Sequence, residues 1–282
     1  MIIHLKNENI SASIDTLGAE LKQLNKGNKN YIWEVNTNFW NKTSPILFPI
    51  VGRLKQDSYL FEGKEYNLPR HGFAREYEFE IFEQTETKVI FKLSSNLETL
   101  KIYPFLFDFY YTYEVVKNKL EVTYEIFNLN KDKMPFSIGA HPAFKLDKSI
   151  ENYSLQFNCD EEFKSYHLTN ENFDGNYSII KSENGKINLN DTLFEIDALV
   201  FKHLQSEELI LIENENALLK FNFKDFPYLG IWKKVKAPFL CIEPWQGLAD
   251  NSLHNGNIIE KEGIILLEQN QSKKLSYFVE IL

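Results

Sequence analysis

Two segments set an ionisable side chain among apolar neighbours, an arrangement that tunes a proton donor or acceptor. In Pro238-Phe239-Leu240-Cys241-Ile242-Glu243-Pro244-Trp245, four apolar residues lead to a carboxylate. A Glu at the end of a buried strand costs free energy unless it has a partner or a chemical role. Burial would raise its pKa and make Glu243 a better base than a solvated carboxylate. An ion pair with a lysine is the structural alternative. Trp245 offers an apolar wall or a platform for a flat ligand. In Phe136-Ser137-Ile138-Gly139-Ala140-His141-Pro142-Ala143-Phe144, small residues lead to a histidine held extended by the proline after it. Imidazole titrates near neutrality, so a positioned His141 can give or take a proton at working pH. The alternative is a core histidine bonded to a carbonyl.

A third segment carries the arginines. The chain has 31 Lys and Arg, of which only Arg53, Arg70 and Arg75 are Arg, all within 23 residues. Arg presents a planar five-donor fork that Lys cannot imitate. Clustering where Lys is used elsewhere points to hydroxyls, carboxylates or phosphates that need the fork, or else to codon bias and chance. Between the last two lies His71, in Leu68-Pro69-Arg70-His71-Gly72-Phe73-Ala74-Arg75. Pro69 stiffens the entry and Gly72 permits close backbone approach. The flanking positive charge favours a neutral His71 ring as a hydrogen-bond partner, unless the loop is merely surface.

Other signals are weaker. Asp197 precedes an apolar strand and reads as a loop cap or a hydroxyl acceptor. Cys241 shares a strand face with Glu243 and reads as a small core residue rather than a nucleophile. His4, His167, His203 and His254 have no motif around them. No HExxH, paired CxxC, P-loop or dinucleotide glycine pattern occurs.

The elements that position these residues are strands. Tyr111–Val115 and Leu120–Ile126 alternate apolar and polar residues, with Lys117-Asn118-Lys119 as a hairpin turn in which Asn118 is suited to the left-handed conformation. Glu208–Ile212 and Ala217–Phe223 flank a second turn at 213–216. Further strand-like runs are Tyr77–Phe82, Lys88–Leu93, Tyr153–Phe157, Tyr228–Lys233, Phe239–Ile242, Gly263–Leu267 and Lys274–Ile281. Helical turns are expected only near Asn38–Lys42 and Ser95–Lys101. Many short strands joined by hairpins imply an all-β protein, a large antiparallel β-sandwich.

Composition narrows the partners. The 282 residues include 43% hydrophobic and 25% charged residues, with no linker-like segment and no repeat, so one domain over 1–282 is expected. A net charge of −9 disfavours sequence-independent nucleic-acid binding, which needs a basic face. The apolar run Pro45–Gly52 is far short of a membrane span. The N-terminus lacks a signal-peptide layout, and Cys159 and Cys241 are too few for a disulfide framework, so a reducing cytoplasm is expected. The oligomeric state, monomer or homodimer, stays open.

Taken in order, the motifs resemble the aldose 1-epimerase (galactose mutarotase) superfamily. They are Leu17-Gly18-Ala19-Glu20-Leu21, Pro49-Ile50-Val51-Gly52-Arg53, His71-Gly72-Phe73-Ala74-Arg75, Gly139-Ala140-His141-Pro142, Pro227-Tyr228-Leu229-Gly230-Ile231-Trp232 and Ile242-Glu243-Pro244-Trp245. The resemblance implies a large antiparallel sandwich that interconverts the α and β anomers of a hexose without cofactor or metal. It implies His141 as the acid at the ring oxygen and Glu243 as the base at the anomeric hydroxyl. It implies Arg53 and His71 as substrate-binding residues, with Asp197 in the place of a further family Asp. Galactose mutarotases follow the second His with an aromatic Tyr-Phe-Asn stretch, where this chain has Pro142-Ala143-Phe144. Its His-Gly-Phe-Ala-Arg form is more similar to the branch that includes hexose-6-phosphate epimerases, which makes Arg75 a phosphate-binding candidate. The whole pattern is most similar to the galactose-mutarotase-related bacterial branch.

Three functions therefore compete: an epimerase of a free sugar, a hexose-6-phosphate epimerase, and a non-catalytic carbohydrate-binding protein on the same fold. A glycosidase would want two facing carboxylates, and only Glu243 stands out.

Overall fold

The computed structural model describes residues 1–282. Its longest strands are those with period-2 alternation. Phe107–Val116 and Lys119–Asn128 run antiparallel from the Phe107–Asn128 pair to the Val116–Lys119 pair. Their turn falls where expected, but Lys117, not Asn118, takes the left-handed backbone, at φ 54°. The second hairpin joins Glu208–Glu213 to Asn216–Asn222 through Asn214 and Glu215, both at positive φ. That geometry matches the twist of the flanking strands.

Nine strands form one antiparallel sheet. In spatial order they are Lys186–Asn188, Tyr153–Phe157, Glu208–Glu213, Asn216–Asn222, Ser272–Ile281, Lys119–Asn128, Phe107–Val116, Lys88–Ser94 and Glu80–Gln84. A second sheet orders Asn172–Ile180, Phe163–Thr169, Leu199–Lys202, Tyr228–Trp232, Phe239–Gln246, Ile138–Ala140 and Ile46–Leu47, with Ala143–Lys145 also paired to Phe239–Gln246. The two sheets share a core of 65 buried residues drawn from Ile3 to Ile281. Phe144 of the second sheet meets Phe221 of the first edge to face at 6.0 Å, and Phe201 meets Phe157 at 6.2 Å. Much of the aromatic content is spent here. Phe48 alone contacts the rings of Phe73, Tyr103, Phe107, Phe109 and Phe136.

The N-terminal four-stranded sheet of Ile2–Lys6, Ser11–Asp15, Glu20–Lys26 and Lys29–Asn30 carries little alternation that would mark it in sequence. Its Leu17–Leu21 motif acts structurally, since buried Glu20 accepts hydrogen bonds from the Thr43 and Ser44 amides at 2.6 and 3.0 Å. Of the two expected helical turns, only one forms, as Thr99–Ile102; the 38–42 segment is a turn closed by an Asn36–Trp40 bridge. No helix is long and apolar enough to cross a membrane.

The second sheet positions the site because its central strands are apolar on both faces. Leu229, Ile231, Leu240 and Ile242 point into the shared core. Alternation then sends Gly230, Trp232, Cys241, Glu243 and Trp245 to the opposite face.

Candidate functional site

Glu243 lies mid-sheet on that outer face and is 1% exposed. Its cross-strand partner is Gly230. Trp245 lies across Gly230 and Gly139: a Cβ on either glycine would stand 2.7 Å from the indole. The indole forms the wall beside the carboxyl group.

His141 joins two short strands that both pair with Phe239–Gln246, through Gly139 opposite Trp245 and Ala143 opposite Cys241. This register holds the ring above Glu243, with His141 Nε2 3.3 Å from Glu243 Oε2. Trp40 and Trp232 box the imidazole, their centroids 4.8 and 5.5 Å away. His141 Nδ1, Glu243 Oε2 and Trp245 Nε1 are buried and lack a well-aligned hydrogen-bond partner. Three such atoms around one cavity mark positions that a polar ligand can satisfy.

Burial sets the protonation states. Desolvation pushes the Glu243 carboxyl well above its ordinary range, and Asp197 adds to this against the opposing pull of Arg70 and the Trp245 N–H. Desolvation, with Arg70 and then Arg75 contributing, lowers His141 to about 3. Both shifts favour an uncharged pair, with the proton on Glu243.

His71 occupies the expected tight loop. Both His71 and Gly72 have positive φ, and a Cβ on Gly72 would stand 2.2 Å from the Phe48 carbonyl oxygen, so only glycine fits. His71 Nδ1 accepts from the Gly52 amide at 3.1 Å. A neutral imidazole has one acceptor nitrogen. His71 Nε2 lies 3.1 Å from the Arg70 Nε donor, so the neutral ring accepts from only one of these two donors at a time. Desolvation, then Arg70, His141 and Arg75, lowers His71 well below the ordinary histidine range and keeps it neutral.

Arg53 lines the cavity on a braced loop. Its carbonyl accepts from the Asp250 amide at 2.9 Å, and the Asp250 carboxylate accepts from the Lys55 amide at 2.8 Å and from buried Lys261 Nζ at 2.6 Å. Its guanidinium bonds Asp57 through Nε and Nη2, at 2.8 and 2.6 Å, and Glu171 through Nη1. Asp197 also lines the cavity, its carboxylate accepting from the Ala198 amide at 2.7 Å.

The structure thus gathers Arg53, His71, His141, Asp197 and Glu243 around one cavity of about 30 Å³. Arg75 stands outside it. Its Nη2 donates to the Arg70 carbonyl at 2.8 Å, and it lines a neighbouring cavity of about 310 Å³ with Trp40, Arg70, His141, Trp232 and Lys234. Arg70, Glu171 and Trp232 also line the smaller cavity, although the sequence pattern does not single them out as site residues. The arginine cluster and the 227–232 motif carry a signal for Arg70 and Trp232, but Glu171 has none. A metal would find His141, Cys241 and Glu243, whose donor atoms lie within 4.8 Å of one another. Burial, then Glu243, pushes the Cys241 thiol well above its ordinary range, which makes it a poor ligand.

Comparison with known proteins places the chain by sequence and by fold. The sequence model of the aldose 1-epimerase family matches residues 1–265. The plasmid-encoded protein LacX of Lactococcus lactis subsp. lactis is 33% identical over 300 residues, covering 100% of both chains. A galactose mutarotase related enzyme from Lactobacillus acidophilus superposes with a TM-score of 0.95 at 31% identity, over 100% of this chain and 97% of that one. A galactose mutarotase-like protein from Lactobacillus casei gives 0.95 at 29% identity, over 100% of both chains. On this agreement of sequence and fold, the chain belongs to the aldose 1-epimerase family.

Proposed function

We propose that the protein interconverts the α and β anomers of a free hexose by acid–base ring opening, with residues 1–282 acting as one domain. The observation that carries this reading is the His141–Glu243 pair, 3.3 Å apart in a cavity where His141 Nδ1, Glu243 Oε2 and Trp245 Nε1 lack well-aligned partners. Before sugar binds, the shared proton rests on Glu243. Sugar hydroxyls bonding to the carboxylate favour its charged form, and the proton passes to His141. His141 then protonates the ring oxygen while Glu243 takes the proton of the anomeric hydroxyl. The C1–O5 bond breaks and a C1=O bond forms. Rotation about C1–C2 and closure on the other face return both protons by the reverse path. The protein ends as it began, with no oxidant or reductant consumed. His71, Arg53 and Asp197 bind sugar hydroxyls, and Trp245 walls the ring. The two free cysteines fit a reducing cytoplasm.

A second reading, a hexose-6-phosphate epimerase, is favoured by the larger cavity, where Arg70, Arg75 and Lys234 converge beside His141 with no acidic residue in the lining. Anomeric exchange followed by NMR on galactose, glucose and glucose 6-phosphate, with wild type and Glu243→Gln, tests both. Acceleration lost in the variant supports the pair, and the ranking of sugars separates the readings. No acceleration of any sugar would leave a carbohydrate-binding protein.

A further inference from the structure

Glu171 sits at the tip of the hairpin between Phe163–Thr169 and Asn172–Ile180, where Asn170 and Glu171 have φ of 50° and 64°. Its two carboxylate oxygens go to different arginines. Oε2 accepts from Nη1 of Arg53, and Oε1 accepts from Nη1 of Arg70. One carboxylate therefore bridges two guanidinium groups from separate loops, in the manner by which such a pair would clamp a bound anion. Nε and Nη2 of Arg53 each donate to Asp57, and Arg70 Nε lies against His71. Two guanidinium charges are matched by two carboxylates, so this side of the cavity offers a ligand hydrogen-bonding groups without net charge.

We propose that Glu171 is a specificity-determining residue: it occupies the anion position between Arg53 and Arg70 and thereby reserves the cavity for uncharged sugars. The inference rests on the epimerase reading above and selects its substrate class. A phosphoryl or carboxylate group brought here meets a like charge and finds the bridging position between the two guanidinium groups occupied. A hydroxyl meets neither obstacle, because it can donate to Glu171 while both ion pairs stay in place. The larger cavity also draws on Arg75 and Lys234, which Glu171 does not touch, so a substrate phosphate seated on those two would bypass Glu171.

Two variants keep the test independent of hairpin folding. Glu171→Gln preserves size and removes charge; Glu171→Gly suits the left-handed turn. Calorimetric titration with inorganic phosphate at low ionic strength is expected to show binding to both variants about tenfold or more tighter than to wild type, and loss of that gain when Arg53→Ala is added. In the exchange assay, the kcat/KM ratio of glucose 6-phosphate to glucose is expected to rise about tenfold or more in both variants. Unchanged phosphate affinity together with an unchanged ratio overturns the inference. A wild type that already prefers glucose 6-phosphate overturns it too and identifies the larger cavity as the phosphate site. If wild type accelerates no sugar, the epimerase reading fails, while the phosphate titration still decides whether Glu171 fills an anion site.

Discussion

Glu243 faces Gly230 across the strand pair, and the missing side chain there leaves room for the Trp245 indole beside the carboxyl group. Any side chain at Gly230 would enter the space of the Trp245 indole, 2.7 Å from a built Cβ. Gly230→Ala is therefore expected to displace the indole and cost about 1–3 kcal/mol through overpacking. Turnover should fall more than stability accounts for, because the displaced ring crowds Glu243. Thermal melts beside exchange rates at a temperature where the variant is folded check this. Unchanged turnover would mean that the indole does not shape the cavity.

Glu243→Gln is expected to lower turnover by about 10²-fold or more, the scale of losing a positioned base. It is also expected to raise stability. The folded-state pKa of Glu243 lies above its unfolded value, so its presence costs stability as pH rises through and beyond the ordinary carboxylate range. Removing the ionisable group removes that cost at neutral pH, and Tm should rise by about 2–4 °C for each kcal/mol recovered. A variant that is inactive and less stable would contradict the buried, uncharged pair.

The histidines act in the opposite sense. His141 is lowered to about 3, below its unfolded value near 6.5, and His71 is lowered in the same direction. Below about pH 6.5 the unfolded chain takes up protons that the folded chain refuses. Their stabilising contribution is complete above that pH and fades as pH falls towards about 3. Melting scans between pH 7 and 5 should show a smaller loss in His141→Gln than in wild type. The kcat/KM profile of the free enzyme should show no acid limb at pH 6.5, and a limb there would place His141 in water.

The loop under Arg53 depends on a buried charge pair. Asp250 and Lys261 are at most 3% exposed and 2.6 Å apart. Asp250→Ala leaves Lys261 charged without a partner and frees the Lys55 amide, so a loss of about 3–5 kcal/mol is expected. Replacing both residues by apolar ones should recover much of that stability while KM for the sugar stays high, because the brace on Arg53 is still missing. Denaturant melts and KM values for the single and double variants separate the two effects.

The amino-acid sequence by itself determined the class of fold and marked His141 and Glu243 as the candidate acid–base pair. Strict alternation in Leu120–Ile126 is a local property, and a strand with one face in the core satisfies it in one register only. The cost of placing Glu243 after four apolar residues, and the backbone freedom that Gly72 lends the loop after His71, are also local. The short N-terminal strands lack such a pattern and take their form from pairing partners. Tertiary structure alone decided which arginine faces which cavity. Arg53 meets Glu171 across 118 residues of sequence, and Arg75 turns to a backbone carbonyl while Arg70 takes the inner position. It also decided that the pair rests uncharged, since desolvation depends on how Trp40, Trp232 and Trp245 close around it. No spacing along one chain encodes these outcomes, because they follow from strand register and from loops that meet only once both sheets have packed.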